Sequence, residues 1–189
     1  MKEVENYVKN CIKIGNLVNG GRHHQVTGEL GSVLVSETFR DFSKSQFVLH
    51  GTDALSSLNI FREGFEVGKS LGLHLGHGVY FSFADHEKGI FKAANYASKV
   101  TSITSQRKGR SVPSALIFCT ISEEAMEKAL IFDTFRDYIS NSQQPNEKVT
   151  QAPVVIVKEM SDGMPEMVVR DPGLITLQFS ASIRGLTVS

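Results

Sequence analysis

A chain of 189 residues can bury one real core, and its 41% apolar and 21% charged residues are ordinary for a folded domain. Its 20 basic and 20 acidic residues cancel, so no global field draws it to nucleic acid or to an acidic membrane surface. No apolar stretch is long enough to cross a bilayer, and MKEVENYVKNCIKIG at the N-terminus lacks the apolar centre of a secretory signal.

The elements follow in chain order. Residues 2–14 predict a helix with Val4, Val8, Cys11 and Ile12 on one side. Asn19 to His24 reads as a turn, and Ser32 to Phe39, rich in β-branched residues, as a strand. Ser45 to His50 predicts a second strand, with His50 at its end. Leu55, Leu58 and Phe61 then recur every three residues on a helix that Thr52 or Asp53 caps and Gly64 ends.

Gly78 to Phe83 is strand-like, and a helix opens at Asp85 and runs through Ile90, Ala94 and Ala97 to Lys99. Ser98 to Ser114 is polar and locally basic, an expected exposed loop in which Arg107, Lys108 and Arg110 are solvated. Ala115 to Ile121 is a buried strand, with Cys119 a core thiol. Cys11 and Cys119 form no C-x-x-C pair, so no metal knuckle or redox couple is expected, and a reducing, cytosolic setting is favoured.

Glu123 to Phe132 reads as helix and Asn141 to Lys148 as loop. Strands within 153–160, 166–171 and 174–183 follow, separated by the turn signals Asp162-Gly163 and Asp171-Pro172-Gly173. The C-terminal third therefore predicts an antiparallel meander, and the whole an α+β domain of mostly antiparallel strands with flanking helices.

Four stretches carry candidate chemistry. In VLHGT, His50 can donate and accept hydrogen bonds, and Gly51 lets a flat ligand approach its N–H and C=O. A primary amide needs that pair of groups. In GHGVYF, Tyr80 and Phe81 point to opposite sheet faces, so one of them is core. In KAANY, Tyr96 lies at the edge of a helix stripe, where its π face can stack on a cationic ring. In EMVVRD, Glu166 shares a strand face with Val168. Taken singly, each also reads as ordinary structure: a cap, core aromatics, a packing tyrosine, a solvent-facing glutamate.

In this order the four stretches resemble the poly(ADP-ribose) polymerase type of ADP-ribosyltransferase, the diphtheria-toxin-like branch with a His–Tyr–Glu triad. VLHGT is similar to its first motif, GHGVYF to its second, KAANY to its Lys-Ser-x-x-Tyr pattern and EMVVRD to its last. The likeness runs over about residues 45–183, leaving 1–44 as a helix and strand segment of the same domain before a catalytic core at 45–189.

The resemblance implies a split β-sandwich with an NAD cleft. It implies that NAD is a substrate, that no metal takes part, and that a protein side chain accepts ADP-ribose; the triad permits chain growth without requiring it, and single transfer is the favoured reading. His50 would hold the adenosine ribose, and Gly51 would clamp the carboxamide, with Thr52 and Phe81 beside them. Tyr80 and Tyr96 would flank the nicotinamide ring, with Lys92 alongside. Glu166 would bind the nicotinamide ribose and orient the acceptor.

Two departures stand out. The serine of the Lys-Ser-x-x-Tyr pattern is Ala93, so Ser82 or Ser98 becomes the candidate replacement. The segment from Tyr80 to Lys92 is also longer than the pattern. Other readings are NAD hydrolysis, a binding module without turnover, and an RNA 2′-phosphotransferase, which GVYF and the late glutamate disfavour. The setting is a housekeeping one or, for a secreted effector, another cell.

Overall fold

The computed structural model describes residues 1–14, 17–19, 22–24, 26–39, 47–67, 74–86, 88–142, 149 and 151–189. Helix α1 (Lys2–Ile14) buries Val4 and Val8, as the periodicity predicts. The side chains of Cys11 and Ile12 lie outside the described residues, as do Ser45, Gln46 and 143–148 of the expected loop. The stretch read as one turn, Asn19 to His24, instead joins two short antiparallel strands, β1 (Leu17–Asn19) and β2 (Arg22–His24). Strand β3 (Val26–Val35) begins six residues before the expected one. It stops where Ser36 Oγ accepts from the Thr38 N–H and turns the chain.

Strand β4 (Val48–Asp53) corrects the placement of His50, which lies inside the strand. The reason is β6 (Ser114–Ile121), which pairs with β4 as far as Asp53–Ser114 and holds Gly51 and Thr52 extended. Asp53 then caps α2 (Ala54–Glu63), accepting from the N–H groups of Leu55 and Ser56 at 2.9 and 3.0 Å. Gly64, at φ 83°, ends the helix. A three-residue step drifts around a 3.6-residue helix. Leu58 is accordingly 45% exposed, while Ile60 and Phe61 pack inward.

Strand β5 (Val79–Phe83) is as predicted, but α3 (Gly89–Lys108) starts four residues later and ends nine later than expected. The supposed loop is thus largely helix. Its β-branched and polar residues are poor helix formers, and tertiary contacts override that preference. Thr104, in this stretch, donates to Asp53 at 3.1 Å, tying the far half of α3 to β4. Arg107 and Lys108 fall in the last turn, where cations favour the helix dipole.

A second correction falls at 123–132. Only α4 (Glu123–Glu127) is helical, and β7 (Leu130–Thr134) alternates in exposure as an edge strand. Helix α5 (Phe135–Ser142) follows, then β8 (Val154–Glu159), β9 (Glu166–Val169) and β10 (Ile175–Val188). Strands β8 and β9 form the expected hairpin about Asp162-Gly163. The meander ends there, because both edges of β9 are taken, by β5 and β8. Asp171-Pro172-Gly173 instead opens a 3-10 turn (Pro172–Leu174), after which β10 pairs with β6 and β3.

Among the described residues, the eight strands β3 to β10 form one sheet in the order β3-β10-β6-β4-β5-β9-β8-β7, antiparallel except at β7–β8. The protein is therefore α+β. Within the sheet, its two halves are joined by the β4–β5 ladder, which is two pairs long among the described residues, Val48–Phe83 and Leu49–Ser82. Residues from both halves, Val48, Ile117 and Cys119 with Phe81, Val154, Met167 and Val169, form a common core. A second core packs α1 and α3 on β4, β6 and β10. A third lies on the outer face of β8 and β9. The N-terminal segment shares the main body, since β3 pairs with β10. Among the described residues, no helix is long and apolar enough to cross a membrane.

Candidate functional site

The short junction between β4 and β5 builds the site. The Ala84 N–H donates to Phe47 C=O, so Phe47 presents its backbone groups to the β5 side. Strand alternation gives Leu49 and Gly51 the same orientation. Pairing stops at Leu49–Ser82, so the N–H and C=O of Gly51 face the gap where β5 has diverged. Two more residues of pairing would set Gly51 opposite Tyr80. Instead His50 Nδ1 lies 3.0 Å from the Tyr80 carbonyl.

A cavity of about 660 Å³ fills this gap. Gly51, Tyr80, Phe81, Lys92, Tyr96 and Glu166 all line it. A smaller pocket of about 260 Å³ adjoins it and contains His50 and Thr52, with Gly51 and Tyr96 shared between the two. The fold thus gathers residues spread over more than a hundred positions of sequence. Cavities of this size are typical of small-molecule sites.

Glu166 opens β9, and its side chain is 14% exposed. Lys92, projecting from α3, places Nζ 3.3 Å from Oε1 of Glu166 and 3.5 Å from Oδ2 of Asp162. Burial pushes the Glu166 carboxyl above its ordinary range, and Lys92 offsets part of that rise. Oε2 is buried with no hydrogen-bond partner. Such a group costs stability and calls for a functional or structural account.

Tyr80 is held by its hydroxyl, which donates to Gly76 C=O at 2.7 Å and accepts from the Leu75 N–H at 2.8 Å. Burial is the main cause of a phenol pushed up to about 12. Phe81 is the core member of the Tyr80–Phe81 pair, 2% exposed and edge-on to His50 and Phe65. Burial lowers the His50 pKa and so favours the neutral ring. A carbonyl only accepts, so Nδ1 carries the proton and Nε2 keeps its lone pair.

The chain matches no protein-family model, and comparison with curated proteins finds no match.

Gly51 requires a different explanation from the one its sequence context suggests. A Cβ there would lie 2.0 Å from Ala93 C=O and 2.9 Å from Ala97 N. The missing side chain admits α3, and strand alternation leaves the N–H and C=O for the gap. Ala93 is buried and in the cavity wall, as is Ser82, whereas Ser98 is outside that wall. Glu159, the alternative late glutamate, is exposed on β8 and also outside it.

Sequence reasoning missed Asp162 and the pair Glu63 and Glu66. Asp162 drew notice only as a turn residue, although it stands four before Glu166. Nothing in the helix pattern of α2 marks Glu63.

Proposed function

We propose that this protein is an NAD-dependent ADP-ribosyltransferase that cleaves the nicotinamide–ribose bond and passes single ADP-ribose units to a protein side chain. The observation that carries this reading is Glu166: a largely buried carboxylate with one unpartnered oxygen, in the wall of the cavity that Gly51, Tyr80 and Tyr96 also line. The resemblance of the four motifs supports it further.

The chemistry suits these groups. The C1′–N bond breaks with its electron pair going to the ring nitrogen, so nicotinamide leaves neutral and needs no acid. Positive charge develops on the ribose, as in glycoside cleavage. A carboxylate near that charge stabilises the transition state more than the ground state. One backbone N–H and one C=O at Gly51 match the acceptor and donor of a carboxamide, and the rings of Tyr80 and Tyr96 suit a flat cation. The acceptor attacks C1′ and loses its proton to Glu166 or to solvent.

The test is to incubate the full chain with NAD in a cell lysate. Nicotinamide release together with ADP-ribose on protein supports the proposal. Nicotinamide release without labelled protein favours hydrolysis, and no release removes the enzymatic reading.

A further inference from the structure

The larger cavity reaches well past the residues that the four motifs supply. Along α3, Lys92, Lys99 and Gln106 recur every seven residues and so share one helix face, and all three line the cavity, with Ser102 and Ile103 between them. At about 1.5 Å per residue that wall is about 21 Å long, more than a nicotinamide riboside spans. The rest of the boundary includes Met160, Ser161 and Asp162 at the β8–β9 turn and Phe135 at the start of α5. Ile103, Met160 and Phe135 supply apolar surface, while Lys99, Ser102 and Gln106 are exposed.

The charges along this wall are unevenly matched. Asp162 accepts from the Met164 N–H through Oδ1 at 3.0 Å, and Lys92 Nζ lies 3.5 Å from its Oδ2. Lys92 also serves Glu166. Lys99 makes no ion pair among the described residues. It stands two helix turns, about 10 Å, along α3 from Lys92.

We infer that this stretch of the cavity holds the acceptor: an extended protein segment whose Asp or Glu pairs with Lys99 while an apolar side chain packs on Ile103, Met160 and Phe135. The inference rests on the transferase reading of the site and names the class of its acceptor. An extended chain advances about 3.3 Å per residue, so a segment with its reactive side chain at Glu166 brings to Lys99 a residue about two to four positions away. A basic segment fits less well, because Lys92 already engages Asp162 and Glu166, and Lys99 would repel it.

The experiment sets the full chain and its Lys99→Gln and Lys99→Glu variants to work with NAD in a cell lysate, the modified sites being mapped by mass spectrometry. Sites labelled by the parent are expected to carry Asp or Glu at that spacing. Their labelling should fall at least about 5-fold with Lys99→Glu and less with Lys99→Gln, while KM for NAD moves less than about 2-fold. A synthetic peptide of one such site with its acid changed to Lys should be a poor acceptor for the parent and a better one for Lys99→Glu, which a merely structural role would not produce. Lys99 is exposed, so neither change disturbs the core. Sites without an acid at that spacing, sites that neither variant weakens, or an effect confined to KM for NAD overturn the inference and leave the transferase reading intact. Loss of only the second and later ADP-ribose units gives the stretch to a growing chain and overturns it too. Nicotinamide release with no labelled protein removes this inference and leaves NAD cleavage standing, and no release removes both.

Discussion

Lys92 Nζ lies 3.3 Å from Oε1 of Glu166, while the second oxygen of that carboxylate is buried without a partner. One oxygen is thus neutralised by α3, and the other remains an unmet acceptor. That asymmetry separates what the carboxylate costs the fold from what it offers a substrate, and the two can be measured apart.

Glu166→Gln keeps the shape and removes the charge. Turnover should fall by at least about 10²-fold, the scale of losing one preorganised electrostatic group, with NAD affinity retained. The same change should raise the melting temperature at pH 7. Burial holds the carboxyl above its ordinary range, so the ionised form is disfavoured in the folded state relative to the unfolded one. That penalty grows as pH rises from the unfolded value of about 4.3 to the raised folded value, and stays constant above it. The gain should therefore shrink on acidification and vanish below about pH 4.3. Parallel melts at pH 4 and 7 with a single-turnover assay check both halves, and an unchanged rate would transfer the role elsewhere.

Lys92→Met removes the cation that lowers the Glu166 pKa. The carboxyl then rises further, and the acid limb of kcat moves to higher pH. The loss should be larger at pH 6 than at pH 8. A uniform loss across the profile would instead mean that Lys92 acts by contact alone. Tyr80, pushed up to about 12, puts no alkaline limb in this range.

Ala93→Ser restores the serine of the Lys-Ser-x-x-Tyr pattern at a buried position in the cavity wall. One added hydrogen bond to the carboxamide is worth about 0.5–1.5 kcal/mol, so NAD should bind about 2- to 10-fold tighter. Calorimetry on parent and variant decides it. No gain would show that Ser82 or another group already fills the role.

Gly51→Ala should destabilise the protein by about 1–3 kcal/mol or more, because its Cβ meets helix backbone rather than a movable side chain. Urea unfolding measures this, and a near-zero change would show that α3 shifts away freely.

The sequence exposes the face alternation of this protein more readily than its connectivity. Phe47 and Leu49 do pack opposite to Val48, and Met167 and Val169 opposite to Val168, because alternation is local. Where β4 ends is not local. Its last three residues are extended because β6 lies alongside, and α3 persists past Lys99 through contacts such as Thr104 to Asp53. The crossing of β10 to the other half is likewise hidden, since Asp171-Pro172-Gly173 signals a turn but not its destination. The motif order gathers Tyr80, Lys92, Tyr96 and Glu166 around one cavity, yet gives no hint of Glu63 and Glu66 in the pocket beside it.

Main-chain groups do not mutate. The N–H and C=O of Gly51 face the gap because the ladder between β4 and β5 stops two pairs in, not because of any side chain on either strand. Side-chain drift along those strands leaves the pair in place as long as the strand ends and the glycine hold. A protein built this way can change many side chains and still present one donor and one acceptor side by side.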